Sequence, residues 1–197
     1  MEVNAEFNPQ ELAVFMVNPD QISKDKIADL VGVKADQIKV FNDEISSNVS
    51  QRSILFSWPN GEFKTQKISD SVELKLEDYS SIGLGFLRKI SKEEFQNQYE
   101  SKDFIQKKIE SISKDSTIQS DLAIMEMKDL AENHKHQTFE KLDDLGELAY
   151  WEKPLNALHV YNQNGAFTIS TNMKNESESK QIALKMVELL IQELHEN

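Results

Sequence analysis

The stretch "LNALHVYNQNGAFTISTN", residues 155–172, decides the fold. It divides into two runs of strand-forming residues, 155–163 and 165–172, joined through Asn164-Gly165. Asn-Gly between two such runs is a strong signal for a tight turn, because both residues tolerate positive φ. The stretch therefore predicts a β-hairpin of two antiparallel strands.

Strand signals recur upstream of this hairpin. The segments concerned are 37–41, 52–58, 62–68, 72–79 and 83–90. Trp58-Pro59-Asn60-Gly61 predicts a turn, so that 52–58 and 62–68 form a second hairpin. In "VELKLEDY", residues 72–79, apolar Val72, Leu74 and Leu76 alternate with charged side chains. Since alternate residues of a strand lie on opposite faces, we expect these three to face the core of a half-buried antiparallel strand.

Helix signals surround the strands. Ser23 and Ser91 are natural N-caps, each with apolar residues placed for a hydrophobic staple. The expected helices run from Ser23 to near Gly32, from Ser91 towards Ile112, over 117–132 and over 178–195. The order of elements predicts an α+β fold in which helices cover an antiparallel sheet. We expect one domain over 1–197, with residues 1–10 as a flexible N-terminal segment.

Composition excludes several classes of protein. The net charge is −12, from 34 acidic and 22 basic side chains. Nucleic-acid binding normally needs a basic patch, and the densest basic run, Lys107-Lys108, lies between acidic residues. The chain has no cysteine, which excludes disulfides and thiolate metal sites. No window is apolar enough to span a membrane, and the first residues do not form a signal peptide.

No catalytic motif is present in the sequence. There is no nucleophile elbow, phosphate-binding loop or zinc-protease motif. The acidic residues Asp143, Asp144 and Glu147 could serve as paired carboxylates, but acidic residues beside a glycine in a loop are more often turn formers. We therefore expect a protein that is not an enzyme and that binds no cofactor.

The segment "ENHKHQ", residues 132–137, is a candidate metal site. His134 and His136 would lie about 200° apart on a helix and on one face of a strand. A metal would need a third ligand, for which Glu132, Glu140, His159 or the Asp143-Asp144 pair are candidates. Nothing in the spacing selects one of them, so a solvated junction between two elements is the favoured alternative. His159 is expected on the polar face of its strand.

Three aromatic residues are candidates for a ligand or partner site. Trp58 lies beside the expected turn, and Tyr150 and Trp151 lie beside a second loop. Aromatic side chains of this kind line many binding pockets. Aromatic residues in strands are more often part of the core, and that alternative stays open.

A family resemblance rests mainly on residues 142–172. Leu145–Trp151 resembles a glycine-containing turn, followed by strands at 155–161 and 165–171 and a helix at 178–195. The pattern is similar to that of bacterial cell-envelope proteins, many of them lipoproteins of unassigned function, with a PsbP-like α/β/α sandwich fold. Two departures are Asp144 in place of the first glycine of the turn and the lack of a cysteine pair.

The resemblance implies a non-enzymatic role. Better-known members of that superfamily are docking or accessory proteins, and the superfamily has no shared active site. We therefore expect a monomeric or weakly dimeric protein-interaction domain of a bacterial cell envelope, with a lipid anchor outside the given sequence. Without a removed signal segment, the expected location is the cytoplasm. The alternative is a small-ligand or metal-binding protein with a pocket near Trp58, Trp151 and the His134/His136 pair.

Overall fold

The computed structural model describes residues 7–42, 48, 51–69, 72–101, 110 and 138–196. The strands are β1 (Lys39–Asn42), β2 (Ile54–Ser69), β3 (Val72–Lys89), β4 (Phe139–Leu142), β5 (Leu148–Glu152), β6 (Ala157–Asn162) and β7 (Gly165–Asn172). They form one antiparallel sheet in the order β1-β2-β3-β7-β6-β5-β4. The helices are α1 (Ala13–Val17), α2 (Lys24–Val31), α3 (Lys92–Glu100) and α4 (Glu176–Glu196). Short 3-10 turns cover Pro9–Leu12, Pro19–Gln21 and Ala35–Gln37.

The sheet has helices on both faces. On the first face, α1, α2 and α4 bury side chains of the central strands such as Phe56, Ile82 and Ile169. On the second face, α3 packs through Phe95 against Tyr150 and other aromatic residues of β5 and β6. The predicted α+β class is confirmed, as a single domain in which the described residues form a seven-stranded antiparallel sheet with four helices packed against it.

Helix ends follow the capping signals. The Ser23 hydroxyl accepts a hydrogen bond from the Lys26 amide, and α2 ends at Gly32 with φ of 71°. The Ser91 hydroxyl accepts from the Glu94 amide at the start of α3. Beyond Ser101, the predicted second helix lies outside the described residues except for Glu110, which is helical. The whole predicted helix over 117–132 lies outside them.

The predicted C-terminal hairpin is confirmed, with its turn one residue earlier. Asn162 pairs with Gly165, and the turn residues Gln163 and Asn164 both have positive φ, 45° and 62°. This is the twist that a two-residue turn between antiparallel strands requires. Gly165 is the first residue of β7, where a Cβ atom would lie 3.0 Å from that of Pro9.

The prediction of a turn at residues 58–61 is wrong. Strand β2 continues through this point because Asn60, Gly61 and Glu62 form a bulge opposite a single β3 residue, between the pairs Pro59↔Tyr79 and Phe63↔Glu77. Gly61 takes φ of 80° there. Likewise, the predicted strands 72–79 and 83–90 are one strand, β3. The result is a hairpin much longer than the sequence suggests.

Two further differences concern residues around the core. Strand β5 is not predicted by the sequence patterns, because all five of its residues are buried and no alternation marks it. Residues 7–10 belong to the segment expected to be flexible, yet Phe7 is buried against Phe167 with ring centroids 6.0 Å apart.

Candidate functional site

The outer halves of β2 and β3 form an arm, residues 63–69 and 72–78, that extends beyond the rest of the sheet. Strand β1 pairs with β2 only as far as Ser57, and β7 pairs with β3 only as far as Ser81. Within the described residues, neither strand of the arm has a second strand partner. At about 3.3 Å per residue, the seven residues of β3 in the arm span about 23 Å.

On one face of the arm the side chains of β3 are apolar and exposed, and the β2 residues directly opposite them include Lys64 and Gln66. Val72, Leu74 and Leu76 share this face and expose 47, 46 and 44% of their surface. Ile68, near the tip of the arm, is 55% exposed. The expectation that the three β3 residues face the core is wrong. Their alternation is regular, but at this position no helix or strand of the described chain covers the face.

The opposite face of the arm is charged and contains one aromatic ring. Glu73, Lys75 and Glu77 alternate along β3. The Lys75 ammonium group lies 4.4 Å from the centre of the exposed Phe63 ring, a cation–π contact. The Tyr79 hydroxyl donates to Glu77 at 2.8 Å. The arm is therefore amphipathic, with an apolar and a charged face.

The base of the arm is held by polar contacts at the bulge. Asp78 pairs with Lys64 at 2.7 Å and accepts a hydrogen bond from the Asn60 side chain at 3.0 Å. These two contacts, Lys64 before Asn60, lower the pKa of the Asp78 carboxyl below its usual value. The Asn60 side chain also accepts from the Glu62 amide at 2.8 Å. These bonds connect the bulge of β2 with the β3 residue opposite it.

Trp58 lies at the edge of a cavity of about 310 Å³ on the first face of the sheet. The cavity lies between α2, the start of α4 and the bulge. Its apolar lining is Leu30, Val31, Val33, Trp58, Pro59, Met173 and Ile182, and its polar lining is Asn60, Ser80, Lys174 and Glu178. Trp58 itself is only 4% exposed, so it forms a wall of the cavity.

The other two predicted aromatic residues lie elsewhere. Trp151 points to the same face as Trp58 but is fully buried, and β3, β7 and β6 separate their strands. Four strand spacings correspond to about 19 Å, so the two tryptophans do not share one pocket. Tyr150 lies on the second face, where its hydroxyl donates to Glu100 at 2.6 Å. Burial, and next this hydrogen bond, raise the pKa of the Tyr150 hydroxyl.

The predicted metal ligands His134 and His136 lie outside the described residues, so this site stays a prediction. In the part of the chain that the structure describes, no three histidine, aspartate or glutamate side chains are grouped closely enough to hold a metal ion. Of the proposed third ligands, Glu140 pairs with Lys180 at 2.8 Å. This contact lowers the pKa of the Glu140 carboxyl.

His159 belongs to a polar network that the sequence does not reveal. Its Nε2 lies 3.0 Å from Glu152 and its Nδ1 2.9 Å from Thr168, while the Tyr99 ring stacks on it at 4.8 Å. Burial raises the pKa of the Tyr99 hydroxyl to about 12. The other oxygen of the buried Glu152 has no hydrogen-bond partner in the described structure. A hydroxyl, an imidazole and a carboxylate in line form a hydrogen-bond relay.

The side chains of the relay come from three neighbouring strands. Tyr150, His159 and Thr168 are directly opposite one another in β5, β6 and β7, and Glu152 is diagonal to His159. The alternation of β6 predicts only the face on which His159 lies, opposite to that of Leu158 and Val160. Its partners could be found only with the strand register.

Comparisons with protein-family models, curated proteins and solved structures found no match for this chain. Among the described residues, no helix has the length and apolar character needed to cross a membrane.

Proposed function

We propose that this protein is a non-enzymatic protein-interaction domain that binds its partner through the arm. The observation that carries the proposal is the combination of an exposed apolar face with an open strand edge on β3. An open edge offers unpaired main-chain N–H and C=O groups, and an added strand satisfies them. The apolar face then provides side-chain contacts at every second residue.

The exposure of this edge is itself informative. Long, apolar edge strands invite uncontrolled pairing, and natural proteins shorten, charge or cover them. Here Val72, Leu74 and Leu76 are almost half exposed on a strand without an outer partner in the described chain. A bound protein that completes the edge removes this liability.

The finer fold assignment, a PsbP-like α/β/α sandwich, belongs to the same proposal. Helices on both faces of an antiparallel sheet support it. The docking and accessory roles known in that superfamily agree with an interaction domain, although a shared fold does not carry a mechanism.

A bacterial envelope location with a lipid anchor is the remaining part of this proposal. Fractionation of the native cells checks it, and recovery wholly in the cytosol would contradict it.

A photo-reactive amino acid at position 74 tests the interaction surface. When the full chain carrying this probe is produced in its native cells and irradiated, we expect a discrete covalent adduct. The matched control is a probe at Leu155, which is 61% exposed in the turn between β5 and β6, away from the arm. Equal adducts from both positions, or none from position 74, would contradict the proposal.

The cavity beside Trp58 supports a second candidate function, small-ligand binding. Its volume of about 310 Å³ lies at the lower end of the range of small-molecule pockets. Lys174 at its wall favours a ligand that has an apolar body and an acidic or carbonyl group, which would replace Glu62 as the partner of this lysine and lie near the Glu178 carboxylate. The salt bridge of Lys174 to Glu62, at 3.0 Å, connects this wall with the bulge.

A tryptophan-selective titration tests the second candidate. In a Trp151→Phe variant the fluorescence reports on Trp58 alone, since the chain has two tryptophans. Aromatic and aliphatic carboxylic acids are the probes, and saturable quenching with a raised melting temperature is the expected result. Addition of Ser80→Leu fills the cavity and should abolish the response. Quenching that survives this change would place the binding elsewhere.

A further inference from the structure

We infer that the partner of the arm is a second copy of this chain, joined through antiparallel pairing of β3 with β3 about a two-fold axis at Leu74. The inference rests on the proposed function, in which the arm is the docking surface. It adds the identity of the partner and the register of the contact.

The sequence of the arm is self-complementary in this register. When Leu74 lies opposite the partner's Leu74, Val72 lies opposite the partner's Leu76. Glu73 then lies opposite the partner's Lys75, and the symmetry repeats this ion pair. Since directly opposite residues share a face, all apolar pairs lie on one face and all ion pairs on the other. Each Glu73 also lies opposite Lys67 of its own β2, so that its carboxylate has a lysine on both sides.

Neighbouring registers are unfavourable because like charges meet. With the axis at Glu73, the Glu73 carboxylates of the two copies lie opposite each other. With the axis at Lys75, the two Lys75 ammonium groups do so. An axis at Leu76 puts Leu74 opposite the partner's Asp78. Registers that differ by half a step would place charged residues opposite leucines. Only the axis at Leu74 matches both faces.

The other open edge of the arm does not have this property. Between Phe63 and Ser69, the charged residues of β2 are Lys64 and Lys67, both basic. A two-fold pair of β2 strands would therefore bring together basic side chains only, with no ion pair between the two β2 strands of the contact. Pairing of β2 with β3 of another copy would leave an open edge at each end and continue into a filament. The β3–β3 contact is closed, because the two-fold axis pairs residues 72–76 of one copy with residues 76–72 of the other and leaves no repeating edge.

Charge also favours self-association at the arm over other parts of the molecule. The whole chain has a net charge of −12, which opposes the approach of two copies. The arm and its connecting residues, 63–78, hold four acidic and three basic side chains, a net charge of −1. The end of β3 at Val72 lies nine residues, about 30 Å, beyond the pairing limit of β7 at Ser81, so that contact at the edge of the arm keeps the acidic bodies apart.

Charge reversal combined with sedimentation equilibrium tests the inference on the purified full chain. Glu73→Lys puts lysines opposite lysines, and Lys75→Glu puts glutamates opposite glutamates. We expect the wild type to sediment with the mass of two chains, each single variant with the mass of one, and the double variant again with two. An equimolar mixture of the two single variants should regain the dimer mass. Glu11→Lys and Lys185→Glu, exposed and away from the arm, are the matched controls and should remain dimeric.

Single cysteines test the register independently of charge. The chain has no cysteine, so Leu74→Cys introduces one thiol per copy. At the two-fold axis the two Cα atoms are about 4.5–5.5 Å apart, which a disulfide spans. Leu76→Cys, at a position with nearly the same exposure, places its thiols about 13 Å apart along the strands. Mild oxidation should therefore crosslink the Leu74→Cys variant and leave the Leu76→Cys variant uncrosslinked.

The possible outcomes separate this inference from the proposed function. A wild-type chain that sediments as a single copy at all concentrations overturns the inference, and so does a dimer that both single variants retain. A crosslink at position 76 but not at 74 overturns the register. If the photo-probe at position 74 captures a different protein, the proposed function stands and the second copy is excluded. If it captures nothing and the chain is monomeric, both fail.

Discussion

At the scale of single residues, the relay on the second face of the sheet has a measurable role in stability. Glu152 is 4% exposed and bonds His159 at 3.0 Å. Glu152→Leu leaves the imidazole without this partner, and we expect the free energy of unfolding to fall by about 1–3 kcal/mol. Glu152→Gln keeps a hydrogen-bonding group in the same place and should lower the free energy of unfolding clearly less. Urea denaturation of the three proteins checks this; equal losses would show that the hydrogen bond to His159 is unimportant.

Tyr150 and Glu100 predict a pH dependence at the acidic end. The hydroxyl of Tyr150, followed by Gln96 and Lys141, lowers the pKa of the Glu100 carboxyl from 4.5 to about 2. Because the pKa is lowered in the folded state, the stabilisation is present above 4.5 and is lost as the pH falls towards 2. Tyr150→Phe removes the largest of these contributions. We expect the pKa of Glu100, followed by carboxyl NMR, to rise in this variant; an unchanged titration would contradict the assignment.

At the scale of elements, the end of α2 provides a test of backbone strain. Gly32 has φ of 71° and no atom near the position of a Cβ, so that only conformation limits its replacement. Gly32→Ala should therefore destabilise the protein by about 1–2 kcal/mol. Gly32→Asn should destabilise the protein less, because asparagine tolerates the left-handed conformation with positive φ. Thermal unfolding of both variants distinguishes strain from steric contact, for which asparagine would be the worse replacement.

The same scale shows how much of the fold the sequence predicts. Local signals were sufficient to predict the helix ends at Ser23, Ser91 and Gly32 and the β6–β7 hairpin, since caps and tight turns depend on residues close in sequence. Strand β5 was missed because both of its faces are covered and alternation disappears. The alternation of Val72, Leu74 and Leu76 predicted which side chains share a face. Whether that face is covered depends on where β1 and β7 end, which local sequence does not specify.

The candidate sites show the same limit. Trp58 does line a cavity, but its distance from Trp151 follows from the strand order β2-β3-β7-β6-β5. The relay of Glu152, His159 and Thr168 depends on the register of three strands. The first is a long-range property, because three strands separate two tryptophans that are 93 positions apart in sequence. The relay joins residues only 7 and 9 positions apart, but its grouping requires the register of three consecutive strands. The sequence therefore identified residue types that are suitable for a site, but it did not show which of them lie together in the fold.

At the scale of the whole molecule, the protein divides into a body with two buried layers and an arm that contributes little to either. The helices of the first face and α3 on the second face both pack on the strands between β2 and β5, whereas the arm residues beyond the bulge are exposed. Folding of the body should consequently be independent of the arm, and association of two copies should depend on it.

Deletion of residues 62–78 tests this division. The deletion leaves Pro59-Asn60-Gly61-Tyr79, in which Asn60-Gly61 is a two-residue turn between the paired residues Pro59 and Tyr79. The register of the remaining strands is kept. We expect cooperative unfolding with a melting temperature within about 4 °C of the wild type, which corresponds to a change of about 1 kcal/mol for a domain of this size. The shortened chain should sediment as a monomer. A large fall in melting temperature would show that the arm supports the core; a retained dimer would show that two copies associate through another surface.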